Sequence, residues 1–139
     1  MIEKNKSIRQ LIDFRLEKLN KLKKLGIEPF PHRYNPTHKS IEIIRSFDDL
    51  ESQTVCIAGR IMALRKMGKA SFIHIMDDKG KIQIFIKKDN VGDKVYEAFN
   101  LMDIGDFIGI QGVVFKTKVG EISISAEKFD VLSKSIRPL

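Results

Sequence analysis

The chain has 139 residues, the size of one ordinary domain, and 42% of them are apolar, which excludes an intrinsically disordered protein. Its 25 Lys and Arg residues outnumber its 18 Asp and Glu residues, and the net charge of +7 favours a polyanionic partner without identifying it. A single cysteine excludes a disulfide framework, and the lack of an apolar run of ~18 residues or of a signal peptide predicts a cytoplasmic protein that contacts no membrane.

An amphipathic helix is predicted from Ser7 to Leu25, where apolar residues recur at spacings of three and four. Ser7 and Gln10 have the spacing of a capping box, and Gly26 suits the left-handed residue that ends a helix. The polar face carries six basic residues: Arg9, Arg15, Lys18, Lys21, Lys23 and Lys24. This face is either a surface for a phosphate backbone or an ordinary solvated face.

A linker is predicted over residues 26–35, because Pro29, Pro31 and the following Pro36 restrict the backbone to extended and turned conformations. A short second helix is predicted from about residue 40 to residue 50 on an apolar stripe of helical spacing.

Alternating apolar residues after Thr54 predict five strands with a helix between the third and fourth. The strands are expected at residues 54–66, 70–77, 81–88, 106–118 and 121–132, and the helix at residues 93–102. This order is typical of the OB fold, a five-stranded Greek-key barrel. The predicted fold is therefore mainly β with helices. Its parts are residues 1–53 (helix, linker and second helix), residues 54–133 (the barrel) and residues 134–139 (a terminal segment).

Alternation also assigns an inner and an outer face to each strand, because successive side chains point to opposite sides. The isoleucines of the second and third strands are expected in the core. The residues between them are expected to form an outer patch: Phe72, His74, Gln83 and Phe85. In the fifth strand Ile122 and Ile124 are expected inside, and Glu121, Ser123 and Ser125 outside.

Such a patch suits single-stranded nucleic acid, since a ring stacks on a base, an amide reads a base edge and cations meet phosphates. Arg60, Arg65 and Lys69 are the candidate cations, from the first strand and the turn that follows it. The alternative is that Phe72 or Phe85 is covered by the N-terminal helix or by a partner.

No catalytic or metal-binding constellation is predicted. The chain has no phosphate-binding glycine loop of the Walker or Rossmann type, and its three histidines lie in different elements with no ligand at metal-binding spacing. We therefore expect no catalytic residue, no metal and no cofactor in this chain.

Several segments together resemble one family. They are residues 55–62, 65–72, 80–84, 105–109, 115–123 and 132–139, with residues 15–19, 26–31 and 37–38. Over nearly the whole chain these segments resemble the anticodon-binding domain of bacterial-type lysyl-tRNA synthetases, which are class II enzymes. Aspartyl and asparaginyl relatives share the OB core, and the Met-Gly-Lys-Ala-Ser-Phe segment at residues 67–72 favours the lysyl enzymes.

The resemblance implies that the chain recognises the anticodon stem-loop of tRNA-Lys. Phe72 corresponds to the ring that stacks on the central anticodon base, and Gln83 to the amide that hydrogen-bonds an anticodon uridine. Glu121 matches the family's anticodon-reading carboxylate, and Arg65 a basic position at the end of the first strand.

Members of that family continue past the segment at residues 137–139 into a catalytic domain that binds ATP and lysine, so the resemblance implies that residues 134–139 start the linker to such a domain. The resemblance therefore implies part of a lysine–tRNA ligase that uses ATP and Mg²⁺ as a full-length homodimer. The present chain alone is expected to bind tRNA as a monomer without catalysis. Two alternatives are a free-standing OB-fold module for tRNA or single-stranded nucleic acid, and a protein-interaction domain that uses the basic helix.

Overall fold

The computed structural model describes residues 7–26 and 34–135, so most of the predicted linker and residues 136–139 lie outside the described residues. Within these ranges every helix is too short or too polar to span a bilayer. The elements are α1 (Ile8–Lys24), α2 (Ser40–Arg45), α3 (Phe47–Leu50), β1 (Thr54–Met67), β2 (Ala70–Met76), β3 (Lys81–Lys87), α4 (Lys88–Val91), α5 (Asp93–Phe99), β4 (Phe107–Lys116) and β5 (Ile122–Ser133).

The five strands form a closed barrel in the order β1-β2-β3-β5-β4, which confirms the predicted OB-type fold. All neighbouring strands are antiparallel except β3 and β5, which run parallel. The first half of β1 pairs with β4 and the second half pairs with β2. A register shift between Ile61 and Ala63 lies just beyond the point where β1 changes partner, and such a bulge bends and twists a strand.

The core has the predicted composition. Ile73 and Ile75 of β2 and Ile84 and Ile86 of β3 are at most 1% exposed, so the assignment of faces from alternation is correct for these strands. The short helix α5 closes the barrel with the fully buried ring of Phe99 beside Tyr96. The Tyr96 hydroxyl lies 2.9 Å from Ser71 Oγ and donates to the Gly68 carbonyl at 2.8 Å, which ties α5 to the start of β2.

One predicted helix is divided in the structure, and a second is shorter than predicted and follows a one-turn helix that was not predicted. The helix expected over residues 40–50 breaks at Ser46, whose φ of −106° and ψ of 28° are not helical, so that α2 and α3 are separate. The helix expected over residues 93–102 ends at Phe99 and is preceded by α4, from which Gly92 separates it with a φ of 90°. A positive φ is favourable for glycine, which explains why α4 ends and α5 begins at Gly92.

Helix α1 begins and ends as predicted. Ser7 and Gln10 form the capping box, with bonds of 3.0 and 3.1 Å, and Gly26 has a left-handed φ of 78°. Two of its basic residues contact the rest of the protein, since Lys18 Nζ lies 2.7 Å from Asp103 Oδ1 and Arg15 donates to Ser135 Oγ at 3.2 Å. Part of the basic face of α1 is thus used to hold the helix against the barrel.

A buried ionic cluster joins the end of β5 to the loop before β4. Lys134 Nζ lies 2.6 Å from Asp103 Oδ2 and 2.8 Å from Asp106 Oδ2, and the side chains of Lys134 and Asp106 are fully buried. Asp106 also accepts hydrogen bonds from the backbone N–H of Asp103 and of Ser135. Burial alone would raise the pKa of Asp103, but hydrogen bonds and ion pairs with Lys134 and Lys18 outweigh it and hold that pKa below its usual range.

Candidate nucleic-acid interface

A cavity of about 470 Å³ opens on the outer face of the barrel, bordered by β1, β2, β3 and the turn between β4 and β5. We call it the Phe72 cavity. Its lining residues are Ala63, Leu64, Arg65, Phe72, His74, Gln83, Thr117, Val119 and Glu121.

The strand register explains why these side chains meet. Arg65 of β1 is directly opposite Phe72 of β2, and His74 of β2 is directly opposite Gln83 of β3. Directly opposed residues of an antiparallel pair project from the same face of the sheet. The three strands therefore bring a cation, a ring, an imidazole and an amide to one surface.

The aromatic part of the cavity is a half-buried Phe72 ring packed against a second ring beside it on the same face of the sheet. The centroids of Phe72 and Phe85 lie 4.8 Å apart, and Phe85 in turn packs edge-on against Phe115 at 6.4 Å. Phe85 does not line the cavity. It is itself half-buried between Phe72 and Phe115.

The polar part of the cavity is a hydrogen-bonded chain. Gln83 is only 9% exposed, and its Nε2 donates to Ser123 Oγ at 3.0 Å. The Ser123 hydroxyl donates to the backbone oxygen of Glu121 at 3.2 Å. The prediction that Ser123 faces solvent is wrong: Ser123 is fully buried, because the parallel pairing of β3 with β5 places it opposite Gln83.

Glu121 and His74 lie at the rim of the cavity. Glu121 Oε2 lies 2.8 Å from His74 Nε2, and both side chains are more than one third exposed. The backbone N–H of Glu121 donates to Thr117 Oγ1 at 3.0 Å, so the residue is anchored at the start of β5. A carboxylate held in this way is an acceptor that a ligand in the cavity can reach.

The structure brings together five of the eight predicted contact residues: Arg65, Phe72, His74, Gln83 and Glu121. Lys69 is exposed in the turn between β1 and β2, outside the lining. Arg60 is separated from the others, since it lines a second cavity of about 420 Å³ together with Tyr34, His38 and Asp77 among others.

Sequence reasoning missed the turn between β4 and β5. Thr117 and Val119 line the Phe72 cavity, and Val119 is 91% exposed. An apolar residue between Lys118 and Gly120 in a predicted turn was the available signal, because turns usually carry polar residues. The alternation of a single strand could not have predicted that Ser123 is buried, since its burial depends on which strand lies beside β5.

Comparison with known proteins gives one family and a set of close relatives. Residues 55–132 match the family described as the OB-fold nucleic acid binding domain. The chain is 48% identical over 136 residues to the lysine–tRNA ligase of Pelotomaculum thermopropionicum, a match that covers 98% of this chain and 27% of that protein. It is 46% identical over 135 residues to the lysine–tRNA ligase of Bacillus subtilis, covering 92% and 27% of the two chains.

A third relative, the lysine–tRNA ligase of Carboxydothermus hydrogenoformans, is 48% identical over 135 residues, covering 97% of this chain and 28% of that protein. The chain thus spans little more than a quarter of the length of these relatives. The predicted resemblance to lysyl-tRNA synthetases is confirmed. Because the family match extends over all five strands of the barrel, the chain belongs to the family of OB-fold nucleic acid binding domains.

Proposed function

We propose that this chain recognises the anticodon loop of tRNA-Lys and that the Phe72 cavity receives an anticodon base. The observation that carries the proposal is the combination, in one cavity of about 470 Å³, of a half-buried ring, an amide and a carboxylate. The volume lies in the ordinary range for small-ligand sites. Stacking on an aromatic ring is the main way in which proteins hold an unpaired base.

The polar groups of the cavity suit uridine. A lysine anticodon is rich in this base. The Watson–Crick edge of uridine has one donor, N3–H, between two carbonyl acceptors. The Gln83 amide offers both an acceptor and donors, and the Glu121 carboxylate accepts. Arg65 beside the ring adds a cation for the backbone of the same nucleotide.

The similarity to lysine–tRNA ligases supports a larger role. We infer that this domain selects the tRNA for an enzyme that joins lysine to tRNA-Lys at the expense of ATP, in the cytoplasm and as a homodimer. In that enzyme ATP and Mg²⁺ would bind to regions outside the part of the chain described here. The residues of the Phe72 cavity would bind and orient the anticodon and take no part in bond formation.

The test uses an RNA stem-loop with the anticodon UUU and a second with its central uridine changed to cytidine, titrated against the 139-residue chain. We expect clearly tighter binding of the uridine RNA, and we expect Gln83→Ala to reduce this preference more than the overall affinity, because phosphate contacts survive. Gln111→Ala is the matched control, since Gln111 is a half-buried glutamine of β4 that does not line the cavity. Equal binding of both RNAs by the parent would contradict the proposal.

A further inference from the structure

We propose that Ser123 is a positioning residue that fixes the direction of the Gln83 amide and thereby makes the Phe72 cavity select uridine over cytidine. This inference rests on the proposed function, since it concerns how the same cavity distinguishes two bases. Ser123 itself is fully buried and does not line the cavity, so it acts through Gln83.

The direction of the amide follows from the hydrogen-bonded chain. A serine hydroxyl has a single hydrogen to donate. Ser123 gives that hydrogen to the Glu121 backbone oxygen at 3.2 Å, so towards Gln83 it acts as an acceptor. The Gln83 atom 3.0 Å from Ser123 Oγ is accordingly Nε2, which donates to it. In the reverse orientation the hydroxyl would have to turn to Oε1 and give up its bond to the Glu121 oxygen, which would keep the N–H of Thr117, so that orientation costs about one hydrogen bond.

The consequence is a fixed pattern on the cavity side of the amide. Among the residues that the structure describes, Gln83 makes one side-chain hydrogen bond, the one to Ser123, so Oε1 and the second N–H of the amide are available to a ligand. An acceptor beside a donor complements the N3–H and adjacent carbonyl of uridine. Cytidine presents the reverse order, an acceptor at N3 beside the N4 amine.

Rotating the amide by 180° would exchange the two patterns and make the same side chain fit cytidine. A glutamine without a fixed neighbour can adopt both orientations and would accept both bases. The two bonds of Ser123 disfavour the second orientation by about one hydrogen bond. We therefore expect the hydroxyl of Ser123 to contribute to discrimination more than to affinity.

The experiment measures the ratio of dissociation constants for the cytidine and uridine stem-loops with Ser123→Ala. We expect this ratio to fall about fivefold, the effect of one ordinary hydrogen bond, and chiefly because the cytidine RNA binds more tightly. Ser125→Ala is the matched control, because Ser125 lies two residues further along β5, opposite Phe85, and outside the cavity lining. Its ratio should equal that of the parent.

A double-mutant cycle distinguishes positioning from a general structural effect. In a Gln83→Ala background, Ser123→Ala should leave the ratio unchanged, because there is no amide left to orient. Ser123→Cys fills the same space with a weak acceptor and should lower the ratio in the same direction, which keeps the test available if the alanine variant melts early.

The outcomes separate the two proposals. A parent protein without preference for uridine overturns the proposed function. A parent that prefers uridine, together with folded Ser123→Ala and Ser123→Cys variants of unchanged ratio, overturns the role of Ser123 alone. A fall in the ratio that persists in the Gln83→Ala background also overturns it, since Ser123 would then act by another route.

Discussion

The guanidinium carbon of Arg65 lies 5.8 Å from the centroid of the Phe72 ring, directly across the pair formed by β1 and β2. This distance is within the range of a cation–π contact. The arrangement places a positive charge beside the stacking surface, so a nucleotide that stacks on Phe72 can meet a cation with its phosphate. Stacking and charge can therefore be removed separately by substitution.

Phe72→Leu tests the stacking surface. The leucine keeps an apolar side chain against Phe85 but removes the flat ring, and we expect RNA binding to weaken by about 1 to 3 kcal/mol. Phe72→Ala should weaken binding at least as much and should also lower stability, because the ring is half-buried and packs on Phe85 at 4.8 Å. Fluorescence titration with the UUU stem-loop measures the first effect, and thermal melting the second.

Two results would contradict this assignment. If Phe72→Leu binds RNA like the parent, the base is held elsewhere. If Phe72→Leu unfolds the domain, the ring belongs to the core and the assignment of faces is wrong.

The salt dependence of RNA binding tests the electrostatic contribution to the binding free energy. If the chain meets about four phosphates of a single-stranded loop, log K should fall with log salt concentration with a slope near −3, using roughly 0.7 per contact. Arg65→Ala should make the slope less steep by about 0.7 if that residue meets a phosphate. Arg45→Ala is a suitable control, since Arg45 is an exposed arginine at the end of α2 that lines neither cavity. A response that is flat in salt would exclude nucleic acid as the partner.

The positions of Phe72, His74 and Gln83 could be predicted because an alternating strand fixes the face of every residue once one face is known to be apolar. The OB-type fold class followed from the order of strands and helix along the chain. These inferences need only the periodicity of single elements and their order in the sequence. They are independent of how far one strand is shifted against another.

The burial of Ser123 could not be predicted from single strands because it depends on a neighbour in space, whereas the separation of Arg60 from Arg65 follows from their spacing along β1. The parallel pairing of β3 with β5 places Ser123 opposite Gln83, and parallel neighbours are distant in sequence. Arg60 lies five positions before Arg65 in an extended strand, which is about 16 Å along β1. The bulge after Ile61 adds a change of direction, so the two arginines line different cavities.

Lys134→Ala tests the buried ionic cluster. Removing the lysine leaves the fully buried Asp106 and the partly buried Asp103 without their shared cation. Breaking one partner of a buried pair typically costs about 3 to 5 kcal/mol, so we expect a large fall in the denaturant midpoint. Lys128→Ala is the control, because Lys128 lies on the exposed side of β5. Equal losses in the two variants would contradict the structural role of the cluster.

Acid stability tests the carboxylate of Asp77, which accepts four hydrogen bonds. They come from the N–H and hydroxyl of Ser40 and from the N–H groups of Lys79 and Gly80, at 2.7 to 3.0 Å. Burial alone would raise the pKa of Asp77, but these donors outweigh it and hold the pKa below its ordinary value. The charged form is therefore favoured in the folded state.

A depressed pKa contributes stability that is fully present above the unfolded value of about 3.9 and is lost as the pH falls through the folded value. We expect Asp77→Asn to lower the free energy of unfolding by about 1 to 3 kcal/mol at pH 7, because the neutral amide has one acceptor oxygen where the carboxylate has two. The difference from the parent should begin to shrink below about pH 4, because the unfolded parent takes up a proton at this carboxyl there while the folded parent does so only at lower pH. Asp78→Asn is the matched control, since Asp78 is an exposed neighbour paired with Lys39 and such surface pairs contribute little. Denaturant unfolding of the three proteins between pH 7 and pH 3 measures both effects. If the free energies of unfolding of Asp77→Asn and the parent differ by a constant amount over this range, the charge of Asp77 does not stabilise the fold.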